Sequence, residues 1–173
     1  MLIIEGSDCV GKTTLSKHLG IQLDLLYQHI GPLPAAWSDA DYIWLGSHNV
    51  IRDRYHLSEL VYSKVLNRNC KIKNPRLLHS TLVLKHRAYT VVITADDDLI
   101  RSRYGEKEEL FSIDDVLAVN ALFMKMNAFW DYHVHCTSQK PYVNNHDIDF
   151  IKKAYKEREE FLAQWKDTLR NSM

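Results

Sequence analysis

The sequence predicts an α/β fold in which a five-stranded parallel sheet is flanked by helices. Three observations predict it. Short apolar or β-branched runs alternate along the chain with longer segments whose apolar residues recur at helical spacing. One run, Thr90-Val91-Val92-Ile93-Thr94-Ala95, has the near-continuous character of a central strand buried on both faces. A glycine-containing turn leaves the first apolar run and leads directly into a helical pattern. A chain of 173 residues is the size of one domain and buries about 70% of its unfolded surface without a disulfide or metal staple. Residues 1–173 are therefore expected to form a single domain.

Leu2-Ile3-Ile4 opens the chain as a short buried strand, and Thr14 to Leu19 follows as helix. Tyr27 to Ile30 is a second short strand, broken by Gly31-Pro32-Leu33-Pro34. Residues 35–48 are irregular or partly helical and carry Trp37, Tyr42 and Trp44. Asn49-Val50-Ile51-Arg52 is a third strand. Tyr55 to Val65 is a helix with Leu57, Leu60, Val61 and Val65 at helical spacing. Asn74-Pro75 gives an N-cap and a first-turn proline for a helix reaching about Arg87. After the Thr90–Ala95 strand, Ser112-Ile113-Asp114-Asp115 resembles a capping box, with aspartate for the usual glutamate. Tyr132 to Cys136 is the fifth strand. A final helix buries Ile148, Ile151, Tyr155, Leu162, Trp165 and Leu169.

The chemistry concentrates in Gly6-Ser7-Asp8-Cys9-Val10-Gly11-Lys12-Thr13-Thr14, which fits G-x-x-x-x-G-K-[ST] between a strand and a helix. Glycines allow a tight turn and close approach of the backbone to a ligand. Successive N–H groups then converge at a helix N-terminus, where the helix dipole favours an anion. Lys12 reaches β- and γ-phosphates, and the Thr13 hydroxyl ligates Mg²⁺. The expected ligand is ATP, as phosphate donor. Asp53 and Arg54 fall just past a strand end, where open α/β sheets bind ligands. A carboxylate there holds Mg²⁺, directly or through water, and a guanidinium clamps a phosphate bidentately.

Together these two segments resemble the thymidylate kinase family, a branch of the P-loop nucleoside monophosphate kinases. Ile4-Glu5-Gly6-Ser7-Asp8-Cys9-Val10-Gly11-Lys12-Thr13-Thr14 is similar to that family's E-G-x-D-x-x-G-K-[ST]-T loop, and Asp53-Arg54-Tyr55 with Ser58 and Tyr62 to its D-R-[YFH]-x-x-S-x-x-A-Y segment. The resemblance implies a P-loop NTPase fold with a short lid. It implies that Asp8 accepts from the sugar 3′-hydroxyl of the acceptor, that Asp53 organises the metal and that Arg54 grips the acceptor phosphate. Some members carry an arginine inside the loop, where this chain has Cys9; others supply it from the lid. The lid is expected at about residues 100–111. Arg101 and Arg103 are its catalytic candidates, ahead of Lys107, beside a hinge at Gly105. Such an arginine neutralises charge on the moving phosphoryl group.

The chain also departs from the family. About forty residues separate Lys12 from Asp53, fewer than the family has, so the acceptor-binding region is abbreviated. The family's proline-glycine-glycine segment is absent. Ser63 replaces a glutamine that helps hold the base. The size suggests a phage or viral source.

The remaining signals bound the function. Lysine plus arginine and aspartate plus glutamate number 22 each, which argues against duplex nucleic acid as main partner. Cys9, Cys70 and Cys136 lack disulfide or zinc spacing, as in a reduced cytoplasmic protein. Neither a signal peptide nor a membrane span is expected. His133 and His135 share a strand face without further metal ligands at fitting spacing. Asn144-Asn145-His146-Asp147 lacks the lysine of a guanine-recognition motif, and Ser138-Gln139-Lys140 is a better candidate for the donor adenine. The expected activity is transfer of the ATP γ-phosphate to a deoxynucleoside monophosphate such as dTMP. A nucleoside kinase with Asp53 as base and an ATPase without a small acceptor are the alternatives. A homodimer through the helix that starts at Tyr55 is open, as is burial of that helix in the core.

Overall fold

The computed structural model describes residues 1–31, 38–45, 49–105 and 110–171, with side chains to Gln164. The break at Pro32-Leu33-Pro34, Trp37, Lys107 and the side chains of Trp165 and Leu169 lie outside the described residues. The elements in order are β1 (Leu2–Gly6), α1 (Lys12–Leu23), β2 (Leu26–His29), α2 (Asp39–Leu45), β3 (Val50–Asp53), α3 (His56–Val65), α4 (Pro75–His86), β4 (Tyr89–Ala95), α5 (Asp97–Arg103), α6 (Ile113–Lys125), β5 (Tyr132–Cys136) and α7 (Asn145–Asn171).

The five strands form one all-parallel sheet in the order β2-β3-β1-β4-β5. β1 lies between β3 and β4, pairing Leu2 with both Ile51 and Tyr89. From β1 the chain crosses to β2 at one edge, returns to β3 beside β1, and then passes to β4 on the other side and out to β5; open α/β sheets of this kind bind ligands at the carboxyl ends of the strands. The residues of β1, β3 and β4 are all buried, as a sheet covered on both faces requires. Leu2, Ile4, Val91 and Ile93 pack against Leu15 and Leu19 of α1 and Ile151 and Tyr155 of α7. On the opposite face Val92 meets Leu57 and Val61 of α3 and Val119 and Phe123 of α6. The apolar face of α3, open to a dimer on sequence grounds, is thus filled from within the chain.

Capping follows the sequence closely. Asn74 accepts from Leu77 N at 3.1 Å to start α4, and Ser112 accepts from Asp115 N at 3.2 Å to start α6. Asp115 returns its carboxylate to the Ser112 hydroxyl at 2.6 Å rather than to a backbone N–H. Asn144 accepts from Asp147 N at 3.0 Å and donates to its carboxylate at 2.7 Å. The near-guanine motif is therefore the capping turn of α7.

The first part of the expected lid is a helix. Asp97 and Asp98 lie in the first turn of α5, where acidic side chains suit the helix dipole. Leu99 and Ile100 are buried in the core. Gly105 follows with φ 87°, a conformation that glycine adopts without strain.

Candidate active site

Gly6 ends β1 with φ 146°, and a Cβ there would lie 2.2 Å from Ile93 O. No side chain fits so close to a central strand, which explains this glycine. Cys9 and Gly11 also have positive φ, 64° and 95°. These two left-handed residues, either side of Val10, fold the loop back so that α1 begins at Lys12 directly behind it. Lys12 is 5% exposed. Its ammonium donates to Ser7 O across the loop and lies 4.0 Å from Asp8 Oδ1. The lysine thus already spans the hollow that a phosphate would fill.

β3 delivers the second half of the site. Asp53 is fully buried. Its Oδ2 accepts from Thr13 Oγ1 at 2.5 Å and from Tyr27 OH at 3.0 Å, and His29 Nδ1 lies 3.2 Å away. Burial, with the carboxylate beside it, pushes the Tyr27 phenol up to about 12, so it remains a donor. Asp53 Oδ1 is buried without a hydrogen-bond partner among the described residues.

Arg54 has φ 69° and donates its backbone N–H to Ile4 O at 2.9 Å. This turn directs the guanidinium toward the phosphate loop, where Nη2 donates to Asp8 Oδ1. Tyr62 OH donates to the other oxygen of Asp8 at 2.9 Å, and the Arg54 guanidinium lies 5.2 Å from the Tyr62 ring centroid. Asp8, Arg54 and Tyr62 therefore form one cluster linking the loop to α3. A carboxylate has about four lone-pair sites, so Asp8 retains capacity for a further donor.

Glu5 supports this arrangement from beneath. Its buried carboxylate accepts from Tyr55 N at 3.0 Å, from Leu57 N at 2.9 Å and from Ser58 Oγ. It caps α3 from the neighbouring strand and thereby fixes the segment that follows Arg54. Burial outweighs those donors and pushes the carboxyl up to about 7.

Beyond Arg54 lies a cleft of about 380 Å³, lined by Tyr42, Tyr55, Ser58, Glu59, Tyr62, Arg68, Lys71 and Phe111 among others. Tyr42 is fully buried yet borders this cleft, whereas Trp44 is 81% exposed.

The two arginines expected in a lid separate. Arg103 donates to Cys9 O at 3.0 Å and to Pro141 O, and its guanidinium lies 5.4 Å from the Tyr142 ring centroid. It ties the outer side of the phosphate loop to the segment after β5, next to Ser138-Gln139-Lys140. Arg101 is exposed on α5, and its side chain has no hydrogen bond or ion pair among the described residues. His133 Nε2 and His135 Nδ1 lie 2.7 and 2.8 Å from Thr94 Oγ1, and His135 Nε2 lies 2.9 Å from Asp96 Oδ1. They belong to a hydrogen-bonded chain between β4, β5 and the start of α5.

Sequence reasoning gave no role to Glu5, Tyr27, Glu59 or Arg68. A glutamate inside the apolar run Leu2–Gly6 was the available signal for Glu5. The others depend on tertiary contacts that no local pattern announces.

No protein-family model and no curated protein matches the chain. Solved structures do. The Bacillus subtilis YorR protein in complex with phosphorylated GDP superposes with a TM-score of 0.64 at 19% identity, covering 96% of this chain and 97% of that one. The deoxyadenosine kinase of M. mycoides with bound dCTP gives 0.53 at 18% identity, covering 91% and 100%. The same enzyme with bound dATP gives 0.53 at 16% identity, covering 90% and 98%. At these identities the likeness is one of fold: the chain shares the α/β fold of these structures.

Proposed function

We propose that the protein is a P-loop phosphotransferase that moves the γ-phosphate of ATP to a deoxynucleoside monophosphate such as dTMP, giving the diphosphate. The observation that carries this reading is the placement of Arg54. It is tied to Asp8 of the phosphate loop on one side and borders the acceptor-sized cleft on the other. A monophosphate acceptor needs a guanidinium there to answer its own charge, whereas a neutral hydroxyl acceptor would leave that guanidinium to the transferring phosphoryl group alone.

The loop from Gly6 to Thr14 and the Lys12 ammonium would hold the donor phosphates. Lys12 exchanges Ser7 O for phosphate oxygens and spreads its charge over the β,γ-bridge. Arg54 exchanges Asp8 for the acceptor phosphate and orients it in line. Asp8, kept in place by Tyr62, then accepts from the sugar 3′-hydroxyl. Arg103 holds the donor side of the loop against Pro141. Arg101, exposed and without a side-chain partner among the described residues, is a second candidate beside Arg103 to meet the transferring group.

The residues also fit a divalent cation: the Thr13 hydroxyl and the unpaired Asp53 Oδ1 form an oxygen donor set of the kind Mg²⁺ takes. Mg²⁺ bound there would neutralise charge on the β- and γ-phosphates.

Phosphorylation of a nucleoside 5′-hydroxyl is a second reading, favoured by the likeness to a deoxyadenosine kinase. It needs a general base. Asp53 suits that role poorly, because it is fully buried and its Oδ2 already takes Thr13 and Tyr27. A coupled ADP-release assay at saturating Mg-ATP over the deoxynucleoside monophosphates and the nucleosides tests both. Turnover with a monophosphate supports the proposal. Turnover only with nucleosides, or with neither, refutes it.

A further inference from the structure

The acceptor cleft carries a second arginine that phosphate binding leaves unused. Arg68, in the loop after α3, lines the cleft with Glu59 and Lys71. Its Nη1 and Nη2 each donate to a different oxygen of Glu59 at 2.9 Å. Glu59 is 6% exposed and also accepts from Lys71 N at 3.0 Å. A nearly buried carboxylate bound on both oxygens does not swing, so it fixes the plane of the guanidinium. Of the five guanidinium N–H groups, two serve Glu59. The other three have no acceptor among the described residues, and 38% of the Arg68 side chain is exposed.

The surrounding walls suit a flat heterocycle. Tyr42, Tyr55, Tyr62 and Phe111 line the same cleft, and the Tyr62 and Phe111 rings lie 5.2 Å apart. Aromatic walls with a few fixed polar groups are what a nucleobase site requires. The polar groups that Arg68 adds are all donors.

Given the acceptor reading of this cleft, we propose that Arg68, held in plane by Glu59, reads the base edge and selects oxo bases, namely guanine, thymine and uracil, over the amino bases adenine and cytosine. The purine C6 and pyrimidine C4 substituents decide the matter. In guanine, thymine and uracil the substituent is a carbonyl that accepts from a guanidinium. In adenine and cytosine it is an amino group, which sets donor against donor and leaves both desolvated. Since Arg54 already answers the charge of the acceptor phosphate, Arg68 contributes discrimination between bases.

The test compares dGMP with dAMP and dTMP with dCMP, by calorimetric titration and by steady-state transfer from Mg-ATP. Each oxo base is expected to exceed its amino counterpart roughly 10- to 100-fold in affinity and in kcat/KM. Arg68→Ala should bring both ratios to within about threefold. Arg68→Lys, which keeps the charge and loses the fork, should fall between. Each ratio is measured on one protein sample, so partial misfolding does not alter it. Equal or tighter binding of the amino bases by the wild type, or unchanged ratios in Arg68→Ala, would overturn the assignment. Selective binding of dGMP and dTMP without turnover would refute the transfer reaction and leave the base assignment standing. Absence of binding by all four would refute both.

Discussion

Replacing Arg54 by alanine probes the proposed two-phosphate site most sharply. In the free protein Arg54 is occupied by Asp8, so binding an acceptor exchanges one anion for another. A bidentate guanidinium–phosphate pair comprises two charge-assisted hydrogen bonds of about 1.5–3 kcal/mol each. The lost contact with Asp8 returns about one of them, leaving a net loss of about 1.5–3 kcal/mol. Loss of Arg54 should therefore raise the acceptor KM roughly 10- to 150-fold. The KM for ATP should change by less than about threefold, because Lys12 and the loop backbone are untouched. Asp8 should keep its position through Tyr62, whose hydroxyl lies 2.9 Å away. Initial rates with each substrate varied at saturation of the other measure both constants. An unchanged acceptor KM, or an equal rise in both, would refute the placement of Arg54 on the acceptor side.

Other consequences follow from the same geometry. Gly6→Ala forces a Cβ to within 2.2 Å of Ile93 O and should cost about 3 kcal/mol or more in denaturant unfolding. Glu5 has a folded pKa of about 7 against 4.5 when free, so its contribution is fully present below pH 4.5 and is lost as pH rises through 7. Unfolding titrations should show Glu5→Gln gaining on the wild type across that window by on the order of 3 kcal/mol, and a constant difference would contradict the buried carboxyl. Arg103→Ala should raise the KM for ATP about tenfold with little effect on the acceptor. Arg101→Ala should lower kcat by about 10³-fold and leave both KM values nearly unchanged.

What the sequence showed plainly were features held within a few residues of one another. The phosphate loop, the Asn74 and Ser112 caps and the β-branched run of β4 are all local, and the structure places them within one or two residues of expectation. Local patterns left the helical state of residues 97–103 unread, because three consecutive aspartates look like a solvated loop until Leu99 and Ile100 are seen to be buried. Arg101 and Arg103, two residues apart, looked equivalent. On a helix that spacing turns them to different sides, and only Arg103 reaches Cys9 and Pro141. The pairing of Asp53 with Tyr27 spans 26 residues and that of Asp8 with Tyr62 spans 54. Such pairs arise from strand order, which periodicity does not encode. The Glu59–Arg68 fork hid for another reason: a charged residue on an amphipathic helix ordinarily faces water, and here the loop after α3 folds back to bury it.

The central claim is that two phosphates meet between Lys12 and Arg54. Its most direct measurement is the fate of the label from γ-³²P-ATP incubated with Mg²⁺ and either deoxynucleoside monophosphates or nucleosides, with products separated by charge. The account predicts label in a deoxynucleoside diphosphate, lost in Lys12→Ala. Label only in a monophosphate formed from a nucleoside, or only in free phosphate, would contradict it.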